Sequence, residues 1–322
     1  MKKIVVRVRE EDLQEISKLA EEIPHPFYID KEGRFLAIYV PDSEIDPLLE
    51  KLISAIDLRY KENIIEVSSP DFVISSSLKR MEKRSEGDQK TPVEELISST
   101  KQYSSLDFSK VALTSIAGLI ALTGLFMNNS AIVIGAMLLS PLLGPIYSFA
   151  INIAVGRPED SLKSAGILVI LLSSALTLSF ISTLMAGSLS EIPVTEEISS
   201  RAEISLIYIP MAILLGFASV LALTKGIPEG LAGVAIAAAL LPPVVVAGIL
   251  LVVSPSRAIV PAIITLQNVM GMMAGSLMAV IMLDVGPRKY YEKAVARKYI
   301  RRALFALSLL LILISAISVL FP

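Results

Sequence analysis

The chain of 322 residues has no cysteine and one histidine, His25. Without thiols, disulfides, thiolate metal sites and thiol chemistry are excluded. A lone imidazole in Pro24-His25-Pro26, with no clustered carboxylate, reads as a loop residue rather than a metal ligand. Charge is also missing where it would matter. No Asp, Glu, Lys, Arg or His lies well inside the first six long apolar runs, and Asp284 sits only at the edge of the sixth. A proton-coupled carrier normally needs a titratable relay within the membrane, so coupling through a buried carboxylate is disfavoured. A neutral site of carbonyls, hydroxyls and helix ends still suits sodium, an anion or an uncharged solute. Phosphate loop, zincin motif and nucleophile elbow are absent as well. The chain is therefore expected not to be an enzyme, and to carry no catalytic residue, cofactor or metal.

What is present is apolar: 53% of residues are hydrophobic and mean hydropathy is +0.67. This is the profile of a polytopic α-helical membrane protein with a soluble domain attached. Seven runs, at 111–127, 131–155, 165–187, 206–224, 231–253, 262–283 and 303–321, meet or approach the ~20 residues that cross a ~30 Å hydrocarbon core. With the N-terminus in the cytoplasm, that side receives Lys101, Lys110, Arg157, Lys163, Lys225, Arg288, Lys289, Lys293, Arg297, Lys298, Arg301 and Arg302, and the other only Arg201 and Arg257. The bias predicts a multi-pass cell (plasma) membrane protein with a cytoplasmic N-terminus, its C-terminus outside if all seven spans cross. The charged start of the chain does not read as a signal peptide, and the first span is expected to direct insertion. The basic segment 288–302 is expected to anchor at anionic headgroups.

Residues 1–75 read as strand, helix, strand, strand, helix, strand. Ile4, Val6 and Val8 alternate with polar neighbours; Leu13, Ile16, Leu19, Ala20 and Ile23 recur at helical spacing; Asp30-Lys31-Glu32-Gly33 marks a hairpin. This order predicts a ferredoxin-like cytoplasmic domain, serving as a sensor, an assembly module or a passive cap. Residues 76–110 read as a charged linker (76–90) followed by an amphipathic helix, with a capping box at Thr91-Pro92-Val93-Glu94. The transmembrane domain is expected over 111–322.

Within it, IGAMLLSP at Ile134–Pro141 returns as IAAALLPP at Ile236–Pro243, and Ala121-Leu122-Thr123 returns as Ala222-Leu223-Thr224. Both matches fall at equivalent places in two three-span units, 111–187 and 206–283. An odd number of spans per unit predicts inverted repeats, with 303–321 as an extra span. Proline in mid-span strips the helix of hydrogen bonds, so the second and fifth spans are expected to be broken helices lining a pathway. Candidate pathway residues are Ser140, Pro141, Gly144 and Pro145 in the second span and Pro242 and Pro243 in the fifth, with Gly135 expected to admit a close helix. Gln267 and Asn268 in the sixth are the most notable amides, able either to tie helices together or to coordinate a substrate. Ser148, Asn152, Ser173, Ser174 and Thr177 read as mostly structural. Gly271 and Gly275 form a GxxxG for close packing within or between subunits, and Asn128-Asn129-Ser130 reads as a helix end.

At AIVIGAMLLSPLLGPI (Ala131 to Ile146) and AGVAIAAALLPPVVVAGI (Ala232 to Ile249) the chain closely resembles the DUF389 family of hydrophobic prokaryotic membrane proteins. Asn129-Ser130 and Leu266-Gln267-Asn268-Val269 also resemble that family's pattern, with Gln267 where the family usually has threonine. The resemblance covers about 92–284 and implies no mechanism, since the family's function is unassigned. The expected function is transport of a small solute or ion around the second and fifth spans. The alternatives are an oligomeric channel and a non-transporting membrane sensor or scaffold. Expected partners are the lipid bilayer, that solute or ion, and further copies in a homo-oligomer, with no nucleic acid.

Overall fold

Alternation in the first residues places Ile4 and Val6 on one face of strand β1 (Lys2–Arg7), fully buried, while Lys3, Val5 and Arg7 face the other way. The computed structural model describes residues 2–30, 32, 34–41, 44–70, 93–205, 207–225, 227, 229–287 and 290–320. The linker at 76–90, Thr91 and Pro92 of the expected cap, and Lys31 and Gly33 of the hairpin lie outside the described residues. The chain divides into two compact units, Met1–Val93 and Glu94–Pro322.

In the first unit β1 is followed by α1 (Leu13–Glu22), β2 (Phe27–Asp30), β3 (Phe35–Val40), α2 (Ile45–Ala55) and β4 (Ile64–Ser68). The sheet order is β2-β3-β1-β4 and every neighbouring pair is antiparallel, with Ile4 opposite Ile38 and Val67. Ile16 and Ala20 of α1 and Leu48, Leu49 and Leu52 of α2 cover one face of the sheet and form this unit's own core. Asn63 closes one corner: its Oδ1 accepts from the Arg9 amide at 3.0 Å, and its Nδ2 donates to Asp12 at 2.8 Å and to the Asp57 carbonyl at 3.1 Å. His25 is buried in its loop and contacts the Glu44 carboxylate through Nε2 at 2.9 Å.

The second unit is helical. Its elements are α3 (Val93–Tyr103), α4 (Phe108–Phe126), α5 (Ser130–Leu139), α6 (Leu143–Ala154), α7 (Pro158–Gly187), a short α8 (Glu196–Ser199), α9 (Tyr208–Thr224), α10 (Glu229–Val253), α11 (Ile259–Met282) and α12 (Tyr290–Leu320). Among the described residues, five helices are long and apolar enough to cross a membrane; α5 and α6, bent by 48° at their junction, make a sixth candidate, and α9 is a shorter apolar helix of 17 residues. The expected fourth span thus falls just short by length. α10 and α11 form the buried centre, while α12 is mostly exposed, as a lipid-facing helix would be.

Local signals end these helices where the sequence reading placed them. Asn128 adopts a left-handed conformation (φ 50°), Asn129 N–H reaches back to the Gly124 carbonyl at 2.9 Å, and the Asn129 side chain then caps α5 through the amides of Ala131 and Ile132. The GxxxG pair acts inside the chain. A Cβ on Gly275 would lie 1.9 Å from the Ile213 carbonyl oxygen, and one on Gly216 2.0 Å from that of Met272, so α9 and α11 touch backbone to backbone. Gly135 does not admit a neighbouring helix: nothing lies within 4 Å of where its Cβ would be.

Candidate functional site

Helix α5 stops at Leu139 because Pro141 lacks an amide and pushes Ser140 into extended backbone (φ −88°, ψ 117°); the chain resumes as α6 at Leu143. α5 has 10 residues and α6 has 12. These lengths correspond to about 15 and 18 Å, so that with the bent pair as one span its break falls near the middle of a ~30 Å apolar layer. The second span is therefore broken as the sequence indicated.

The fifth span is not. α10 runs without interruption from Glu229 to Val253 with Pro242 and Pro243 inside it. Pro243 offers no N–H to the carbonyl four residues earlier, that of Ala239; the Asn268 side chain of α11 supplies one instead, Nδ2 donating to Ala239 O at 2.8 Å. A neighbouring helix has restored the missing bond, which is how proline is accommodated in a membrane helix.

Two pockets flank this arrangement. The first, about 230 Å³, is bordered by the α5–α6 break (Ser140, Pro141, Gly144, Pro145), by Tyr103 and Lys110, and by Gly230, Gly233 and Val234 of α10. The second, about 330 Å³, is bordered by Ala238, Ala239 and Pro243 of α10, by Asn268, and by Glu197, Arg201 and Tyr208 from the segment before and at the start of α9. Along α10 the nearest lining residues, Val234 and Ala238, are four positions apart. That is about 6 Å of helix axis. Of the three residues between them, Ile236 and Ala237 are buried and Ala235 is exposed.

The pockets lie towards opposite ends of α4. Lys110 is in its first turn, whereas the segment carrying Glu197 is tied to its last turn by Thr195 Oγ1 donating to Leu125 O at 2.7 Å and by Glu197 N–H donating to Asn128 Oδ1 at 3.1 Å. Fifteen residues separate Lys110 from Leu125, about 22 Å along a helix.

Three buried polar atoms without a hydrogen-bond partner lie at the same two places. Tyr103 Oη and Ser140 Oγ border the first pocket and Asn268 Oδ1 the second. Such atoms cost free energy when buried and mark positions where a ligand, ion or water completes the bonding. The orientation of Asn268 follows from its bond: the Ala239 carbonyl requires a donor, so the amide nitrogen faces it and the oxygen is left over. At the rim of the second pocket Glu197 accepts from Ser130 Oγ and pairs with Arg201, and these contacts hold its carboxyl below the usual range, the Ser130 bond most strongly.

Of the residues singled out in the sequence, Ser140, Pro141, Gly144 and Pro145 meet at the first pocket and Pro243 and Asn268 at the second. Pro242 borders neither, and Gln267 turns away, its Nε2 donating to Ser315 Oγ of α12 at 3.4 Å. Ser148 and Asn152 belong to a tie between helices: the Ser104, Ser148 and Ser164 hydroxyls lie 2.7 to 3.3 Å apart, with Asn152 Nδ2 3.0 Å from Ser148 Oγ. Ser174 and Thr177 bond within α7. Tyr103, Lys110, Glu197 and Arg201 were not anticipated as site residues. Their only signal was polarity just outside an apolar run.

Residues 137–274 match the family model described as Domain of unknown function (DUF389). Among curated proteins, an uncharacterized protein of Methanocaldococcus jannaschii, MJ0678, is 29% identical over 231 residues, covering 70% of this chain and 69% of its own. No solved structure matches.

Proposed function

We propose that this chain, whose residues 137–274 match the DUF389 family model, is a membrane transporter that moves a small solute or ion by alternating access. The observation that carries the reading is the pair of pockets at the two proline sites, approached from opposite ends of α4 and separated by one turn of α10, with at least one unpartnered buried polar atom at each. A carrier needs two half-pathways and a thin barrier whose position changes; a channel needs a continuous path. The two pockets share no lining residue, which favours the carrier.

The packing supports reading the two halves as inverted repeats. If α4, α5–α6 and α7 correspond to α9, α10 and α11, then the contact of α7 with α10 has its counterpart in the contact of α11 with α6, and both contacts occur. The repeated Ala-Leu-Thr triplets also lie in the last two turns of corresponding helices, α4 and α9. We count α9 as a crossing. Its 17 residues reach about 25 Å, and a mismatch of a few Å is accommodated by the bilayer. Seven spans then follow, with the N-terminus cytoplasmic by the distribution of basic residues. The order β2-β3-β1-β4 supports a ferredoxin-like reading of the N-terminal unit, as a sensor or assembly module in a homo-oligomer.

The cysteine-free chain permits a direct test. Ser140→Cys and Ala238→Cys, each introduced alone in sealed vesicles, should react with a membrane-impermeant maleimide from opposite sides. A transported solute found by a flux screen should change the two rates in opposite directions. Labelling of both from one side, or of each from both sides at once, would overturn the carrier reading, the latter in favour of a channel.

A further inference from the structure

A third pocket, about 290 Å³, lies where α11 ends and α12 begins, apart from the two at the proline sites. Its floor is apolar, formed by Val280, Val285 and Ile300 together with Ala154 at the end of α6. Its wall is basic: Lys293, Arg297 and Arg301 of α12 recur every four residues and so share one helix face. Asp284 is the acidic residue bordering it, and its carboxylate is engaged by Lys293 Nζ at 2.6 Å. Asp284 is positioned for this by the end of α11. It adopts a left-handed conformation (φ 51°), with Asp284 N–H bonded to Ile281 O at 3.2 Å and Val285 N–H to Val280 O at 3.0 Å, a tight reversal that normally uses glycine. Arg297 and Arg301 have no acidic partner among the described residues, and both are exposed.

We propose that this pocket is a discrete binding site for the phosphate of an anionic phospholipid, held by the Arg297 and Arg301 guanidinium groups. Two cations one helical turn apart match a phosphodiester, which arginine binds with paired, charge-assisted hydrogen bonds. The apolar floor suits the glycerol and upper acyl chain, which a free phosphate lacks. Position selects the lipid too: Arg301 and Arg302 are the last charges before the apolar stretch of α12, whose Phe305, Leu309, Ile312 and Leu313 are exposed. The headgroup would bridge α12 to the end of α11 and so fix an otherwise loosely packed helix. The site does not depend on the transport reading.

The test uses the full chain in nanodiscs of phosphatidylcholine alone or with phosphatidylglycerol, read by thermal unfolding and by retained lipid in native mass spectrometry. The wild type should unfold at higher temperature with phosphatidylglycerol and retain it. Arg297→Gln with Arg301→Gln should unfold like the wild type in phosphatidylcholine yet lose the increment and bind phosphatidylglycerol at least about tenfold more weakly, the loss expected for one charge-assisted bond. Should that variant fail to fold, Arg297→Lys with Arg301→Lys keeps the charge but not the paired geometry and should still lose most retained lipid. Lys298→Gln with Arg302→Gln, on another face, should keep the increment. Equal loss in this control would mean diffuse attraction and overturn the site. So would an equal increment from inorganic phosphate in phosphatidylcholine discs, which would make the ligand a soluble anion, or an unchanged increment in the Arg297/Arg301 variants.

Discussion

Asn268 Nδ2 donates to the carbonyl oxygen of Ala239 at 2.8 Å, the acceptor that Pro243 leaves without its helical donor. One side chain thereby keeps α10 continuous and turns its own oxygen into an unpartnered acceptor beside a pocket. Replacing it by alanine should cost about 1–2 kcal/mol, the upper range for interhelical hydrogen bonds in membrane proteins. In a Pro243→Ala background the backbone amide returns and the same replacement should cost markedly less. A double-mutant cycle by unfolding in detergent measures the difference, and additivity of the two changes would refute the compensation.

Gly216 and Gly275 set the distance between α9 and α11. Gly275→Ala should destabilise the helical unit by about 1–3 kcal/mol, because its Cβ would meet backbone rather than a movable side chain. Gly135→Ala, where the space is open, should be tolerated. Thermal unfolding of the two variants side by side checks the contrast.

In the N-terminal unit, Asn63 is buried and bonded to three different residues. Asn63→Ala leaves the Arg9 amide and the Asp57 carbonyl without this partner and should cost about 2 kcal/mol. Urea unfolding of a fragment spanning 1–70, which contains that unit's whole core, is the measurement.

Asp57 titrates at about 2, lowered chiefly by the Arg59 side chain bonded to it and then by the Arg59 backbone amide. Its folded pKa lies below the unfolded one, so its contribution is fully present above about pH 4 and disappears as pH falls through about 2. NMR titration of the Asp57 carboxyl should show that low midpoint, and Arg59→Gln should move it up towards the ordinary carboxylate range. Arg59 is largely at the surface and Asp57 is partly exposed, so solvent screens the pair and the effect on stability should be small.

Much of this structure is local in origin and therefore readable along the chain. The alternation through Ile4, Val6 and Val8 and the helical stripes of α1 and α2 set the order of the N-terminal elements. Asn128-Asn129 ends one helix and starts the next, and at Ser140-Pro141 the helix stops because Ser140 turns extended and bends its own N–H back to the Met137 carbonyl that Pro141 cannot serve. Pro242-Pro243 looked equivalent, and the same rule predicted a break that the fold does not contain.

The physical difference lies outside the local sequence. Proline always removes a donor, which the chain determines by itself; whether the helix then breaks depends on what a neighbour offers the orphaned carbonyl. Asn268 is twenty-five residues beyond Pro243, and it reaches Ala239 only because α11 packs against α10. Likewise, Tyr103 and Lys110 gather at one pocket and Glu197 and Arg201 at the other through contacts that span up to seventy residues, such as Thr195 on Leu125. Sequence determined where hydrogen bonds are lost. The tertiary structure decided which of them are restored and which remain open to a ligand, because that depends on how distant helices pack.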